Sequence, residues 1–154
     1  MNVLYAGQPL AQSIFLAGPS PRDPKTPSWR PEALRILEAL KFPGTVFVPE
    51  PETGSQWDYD NQICWEWEGL GQATCVAFWV PRELAAMPAF TTNVEFGLMV
   101  AGKKTVLGYP FSAPKMGYLR ALAVRHQVPI FHTLEETLRT AVAKAANPCV
   151  RLSD

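Results

Sequence analysis

Short apolar runs that alternate with helix-spaced stretches predict a single α/β domain with a parallel sheet covered on both faces. Three observations carry this expectation. Apolar runs of about four to eight residues recur along the chain, too short for helices of their own. Each is followed by a segment whose apolar residues fall three and four apart. The runs lack the in–out alternation of a sheet with one wet face, as expected of strands buried on both sides. At 154 residues the chain fits one domain, read as 1–154 with a core of about 13–146.

The elements follow in order. Residues 13–17 form a first buried strand ending at Gly18 and Pro19. A proline-rich loop, 20–27, carries Arg22, Asp23 and Lys25. Ser28 is placed to cap a helix with Pro31 in its first turn and Ala33, Leu34, Ile36, Leu37 and Leu40 as its apolar face. Pro43 and Gly44 make a turn into the second strand, 45–48. An acidic loop, 49–59, precedes a helix from about residue 60 with Ile63, Trp67 and Leu70 at helical spacing. Residues 73–80 are the third strand. Thr92 to Glu95 fits a capping box, in which the threonine and the glutamate each satisfy a free backbone N–H. That helix runs to about residue 101 and closes at Gly102. Residues 105–108 are the fourth strand, 113–125 a helix, and 128–131 a short edge strand that tolerates Pro129. Thr133 and Glu136 open the last helix, to about residue 146. Five strands and five helices in alternation suit a flavodoxin-like, Rossmann-like order.

Composition excludes several classes. Lysine plus arginine and aspartate plus glutamate both number 14, which gives no basic surface for duplex nucleic acid or anionic membrane. No apolar run reaches the roughly 18 residues that span a bilayer, and the start lacks the pattern of a secretory signal. Three cysteines, Cys64, Cys75 and Cys149, form no metal-ligand spacing. The expectation is a cytoplasmic protein with no metal and no organic cofactor.

In an open α/β sheet the loops at the carboxyl ends of the strands hold the ligand. Here these loops are rich at once in carboxylates, arginines and aromatics. The first offers Gly18, Pro19, Ser20, Arg22, Ser28 and Arg30. The second offers Glu50, Glu52, Trp57, Asp58, Tyr59 and Asp60, and the third Arg82, Glu83, Phe90, Thr92, Asn93 and Glu95. Gln62 and Glu66 lie four apart on one helix face beside Trp65. Gly18-Pro-Ser-Pro21 is not a glycine-rich phosphate loop, although it leads to a helix N-terminus that favours an anion, with Arg22 and Arg30 near. His126 and His132 fall late in the chain, away from any nucleophile. Glu95, in the first turn of its predicted helix, is a candidate for chemistry as well as for capping.

Together these segments resemble the nucleoside 2-deoxyribosyltransferase-like superfamily. The resemblance rests on Phe15-Leu-Ala-Gly-Pro19, Ser28-Trp-Arg-Pro-Glu-Ala33, Gly44-Thr-Val-Phe-Val-Pro-Glu50, Gln62-Ile-Cys-Trp-Glu66, Phe78-Trp-Val-Pro-Arg82 and Thr91-Thr-Asn-Val-Glu-Phe-Gly97, over about residues 13–140. It implies cleavage or exchange of the N-glycosidic bond of a 2′-deoxynucleoside or its 5′-monophosphate. Glu95 matches the nucleophile, and its helix N-terminus would keep it ionised. Asp58, Asp60 and Glu66 are the candidates to protonate the leaving base, and Trp57 or Trp65 to stack on it. Gly18, Pro19, Ser20, Arg22, Ser28, Arg30, Tyr59, Gln62, Arg82 and Asn93 complete the expected substrate site. The resemblance also implies a homo-oligomer, dimer or higher. Thr74 and Ala89 stand where transferases of the superfamily carry aspartates. A nucleotide-binding or sensing module without turnover, or an interaction subunit, therefore stays open beside the enzyme.

Overall fold

The computed structural model describes residues 11–51 and 58–147. Five strands, β1 (Ser13–Ala17), β2 (Thr45–Phe47), β3 (Cys75–Trp79), β4 (Thr105–Gly108) and β5 (Ile130–Phe131), form one sheet in the order β2-β1-β3-β4-β5. Every pairing is parallel. The helices are α1 (Arg30–Ala39), α2 (Tyr59–Gln72), α3 (Phe90–Met99), α4 (Gly117–Arg125) and α5 (Leu134–Ala146). This is the flavodoxin-like order.

Strand periodicity divides the core in two. Along β1, Phe15 and Ala17 turn to one face, where Val76, Phe78 and Leu107 join them under Leu70 of α2, Phe96 of α3 and Leu119 and Ala123 of α4. Ile14 and Leu16 turn to the other, with Cys75, Ala77, Trp79 and Val106 under Ala33 and Leu37 of α1 and Leu138, Ala141 and Ala145 of α5. All five residues of β1, and all five of β3, are buried. That explains why both read as unbroken apolar runs.

The amino-terminal edge of the sheet is held by side chains. Ser13 N–H donates to Thr74 Oγ1 at 2.8 Å, Thr74 N–H to Ser13 Oγ at 3.0 Å, and the Thr74 hydroxyl to Ser13 O at 2.8 Å. Lys104 Nζ donates to the carbonyls of Leu70, Gly71 and Ala73 at 2.7–2.9 Å and so closes the C-terminus of α2. Thr74 thus precedes β3, at the edge opposite the carboxyl ends of the strands. It does not occupy the end of that strand, and its not being an aspartate has no bearing on the site.

Several expected boundaries move. The α3 helix starts at Phe90, after Ala89 in the left-handed conformation (φ 62°), and no side chain caps it. Thr92 is therefore inside the helix and buried, and the predicted capping box with Glu95 does not form. The left-handed residue that follows the helix and its 3-10 turn is Lys103, not Gly102. On α1, Leu34 is exposed rather than part of the buried face, and on α2 Trp67 is 66% exposed. Trp65 turns inward instead, its ring 6.1 Å from both Phe15 and Phe47. At Thr133 the threonine half of the box forms, with Thr133 Oγ1 accepting from Glu136 N–H, while the Glu136 carboxylate accepts from the Thr133 hydroxyl and not from a backbone N–H.

Gly18 ends β1 where the chain must pass close to β3. Its φ is +151°, and a Cβ there would stand 2.1 Å from Trp79 O and 2.9 Å from the Trp29 ring. Gly18→Ala is expected to destabilise the fold by at least ~2 kcal/mol, read as a lowered urea midpoint with an unchanged slope.

Candidate functional site

The strand order reverses direction between β1 and β3, and a cleft of about 230 Å³ opens above their carboxyl ends. Its walls come from the loops after β1, β2 and β3, from Arg30 of α1 and from the amino-terminal halves of α2 and α3.

Arg30, the first residue of α1, builds the floor. It is 1% exposed. Its Nε donates to Leu16 O at 3.2 Å, Nη2 to Gly18 O at 2.8 Å, and Nη1 to Ser20 Oγ at 3.0 Å and to Glu50 Oε1 at 2.5 Å. The Ser28 hydroxyl donates to Glu50 at 2.9 Å and accepts the Arg30 N–H at 3.2 Å. One guanidinium thereby fastens the end of β1, the loop after it and the loop after β2. With most of its donors engaged and its charge matched by Glu50, Arg30 organises the site rather than offering an open anion subsite. Ser28 is likewise engaged, and it does not line the cleft.

Two carboxyls enter the cleft from facing helices. Glu66 of α2 accepts from Gln62 Nε2 at 2.8 Å, the helical i, i+4 pair read from the sequence. Glu95 enters from the second turn of α3, sixth in a helix that has no acid in its first turn. The expected dipole support at a helix N-terminus is correspondingly absent, because that effect fades within one turn. Burial, then repulsion from Glu66, push the Glu95 carboxyl up from near 4.5 to about 7, against the pull of Arg30. Such a perturbed group inside a cleft is a functional signature.

The other expected residues separate into groups. Gly18, Pro19, Ser20, Arg22, Tyr59 and Gln62 line the cleft with Arg30, Glu66 and Glu95. Asp58 and Asp60 flank Tyr59 at the start of α2 but are exposed and off the lining. Trp65 packs on Phe15 and Phe47 and does not line the cleft, and Trp57 lies outside the described residues. Arg82 donates to Lys115 O and to Asn93 Oδ1, tying α3 to the loop before α4 and leaving both side chains outside the cleft. Among the described residues, no three His, Cys, Asp or Glu group to hold a metal ion, and no helix is long and apolar enough to cross a membrane.

Two residues named on the rim but given no role there stand out. Glu50 holds Arg30, and Phe90 lines the cleft at the start of α3 with Arg22 over its ring, 5.2 Å from the centroid. Glu50 was visible as a charge but not as a partner, since twenty residues separate it from Arg30. Phe90 was visible as an aromatic of the third loop, but not as a cleft-lining residue at the first position of a helix whose start was placed at Thr92.

The Glu95 shift has a consequence for stability. Its folded value of about 7 lies above the ordinary 4.5, so the native state holds more protons between those values. Stability therefore falls as pH rises through that window and levels off above it. Glu95→Gln removes this dependence. The variant is expected to gain on the wild type by on the order of 2 kcal/mol between pH 4.5 and pH 8, measured by denaturant titrations at both pH values. An unchanged difference between the two would show that the carboxyl is not buried as described.

The family model described as "Nucleoside 2-deoxyribosyltransferase like" matches residues 11–112. The match runs from β1 through β4 and contains every residue of the cleft. A search of curated proteins finds no match.

Proposed function

Since the chain belongs to the nucleoside 2-deoxyribosyltransferase-like family, we propose that the cleft cleaves or exchanges the N-glycosidic bond of a 2′-deoxynucleoside or its 5′-monophosphate. The observation that carries this reading is the pair of carboxyls, Glu95 and Glu66, brought into one cleft at the switch point of the sheet.

The chemistry divides into two displacements. In the first, a Glu95 oxygen attacks C1′ and forms an ester. The C1′–N bond breaks, its electron pair stays on the base, and the base takes a proton from Glu66. In the second, water or an acceptor base attacks C1′, Glu95 leaves as a carboxylate, and the proton released returns to Glu66. Glu66 is preferred over Asp58 and Asp60 for this role because it alone of the three lines the cleft. Arg30 supports the ionised form of Glu95 by its charge. Arg22 lines the same cleft and its side chain lies over Phe90 with no carboxylate partner among the described residues. It is the group suited to a 5′-phosphate.

Base release is to be followed by chromatography, using 2′-deoxynucleosides and their 5′-monophosphates with and without a free acceptor base. Glu95→Gln should lower turnover at least ~10³-fold while staying folded. Below about 7 the Glu95 carboxyl holds a proton that the reaction needs on Glu66, so the wild-type rate should fall as pH rises through about 7 and that proton is lost. If monophosphates are the substrates, Arg22→Ala should raise KM for them and leave that for nucleosides unchanged. Binding without base release, unaffected by Glu95→Gln, would replace the enzyme with a nucleotide-binding module, a reading that Ala89 at a transferase aspartate position favours.

A further inference from the structure

The tryptophans expected to stack on a base are not available as cleft walls among the described residues. Trp65 belongs to the core, and Trp29 and Trp79 are buried. Two aromatic rings do line the cleft, Tyr59 and Phe90. Phe90 is the one whose ring the structure holds in place. Arg22 lies over one face, and the Arg22 N–H donates to Ala86 O at 2.9 Å, which anchors the loop after β1 to the loop before α3. Pinned this way, Phe90 is still 65% exposed. The left-handed Ala89 sets the chain direction at this point, and Phe90 opens the helix at the cleft instead of packing under it. Glu95 follows five residues later, about 7.5 Å along the helix axis. That separation suits a flat base on Phe90 whose sugar carbon faces Glu95.

Resting on the glycosidic reading above, we propose that Phe90, backed by Arg22, is the platform on which the base stacks. A stacked ring grips any base through its π face and is tolerant of base identity. Arg22 adds a cation on the same ring, so one pair of residues serves the base and the 5′ end of the ligand. Phe90 also begins a row of exposed apolar residues on α3, continued by Val94 and Leu98. That row could instead be a docking face, and the test separates the two.

Calorimetric titrations of the four common 2′-deoxynucleosides, their monophosphates and the free bases would be run in a Glu95→Gln background, where turnover is off. Phe90→Leu keeps bulk and apolarity but removes the π face, and should weaken binding of nucleosides and free bases roughly tenfold. Phe90→Tyr should stay within about twofold of the parent. Val94→Ser and Leu98→Ser should leave binding unchanged. Undiminished binding in Phe90→Leu overturns the platform alone. So does an equal loss in Phe90→Leu, Val94→Ser and Leu98→Ser together with a change in sedimentation, which would make the row an interface. No binding of any probe by the parent overturns the platform and the glycosidic reading together.

Discussion

The ion pair between Arg30 and Glu50 is the joint on which the cleft depends. A guanidinium 1% exposed is tolerated only with a matching charge and filled donors. Leu16 O, Gly18 O, Ser20 and Glu50 supply them, so the guanidinium ties β1 to three loop residues that the sheet alone would leave loose. Breaking a buried pair costs about 3–5 kcal/mol, so the loops after β1 and β2 are bound to the same geometry. Gly18 completes the joint, since no side chain fits between the turn and Trp79.

Around that joint, local stability is set aside in favour of chemistry. Glu95 is held where burial and Glu66 oppose its charge, and Ala89 sits in a left-handed conformation that most residues avoid. Both departures fall on the cleft. Lys41, Lys103, Lys115 and Gln127 are left-handed too, at helix ends and in the turn before α4, while the Thr133 cap and the lysine closing α2 follow local preference. What sets the cleft apart is therefore not its backbone but a buried carboxyl held beside a second one.

The sheet was legible from the sequence because both faces of β1 and β3 are buried, which turns a strand into an apolar run that periodicity cannot disguise. Glu66 and Gln62 were legible as a pair because helical spacing is fixed. The start of α3 was not. Thr92, Asn93 and Glu95 have the letters of a capping box, but Pro88 and the left-handed Ala89 begin the helix one turn earlier, and nothing local announces an alanine at positive φ. That shift moved Glu95 out of the first turn and brought Phe90 into view. The fate of Arg30, Arg82 and Trp65 was equally hidden, since each is decided by partners distant in the chain: Glu50, Lys115 and Phe47. The superfamily expectation drawn from scattered motifs agrees with the family match over 11–112. The assignment of Thr74 to the carboxyl end of β3 failed because its hydroxyl serves Ser13 at the other edge.

The clasp between Ser13 and Thr74 carries a consequence for how such a protein diversifies. It secures the central strands from the end remote from the ligand, while Lys104 fastens α2 at the same end. The scaffold is thus anchored without help from Arg22, Tyr59 or Phe90, whose side chains are exposed on the opposite rim. Exchanges at those three positions reshape the lining of the cleft at little cost to folding, whereas Gly18 and Arg30 have no such freedom. The shape of the cleft and foldability are therefore separable properties of this chain, carried by opposite edges of one sheet.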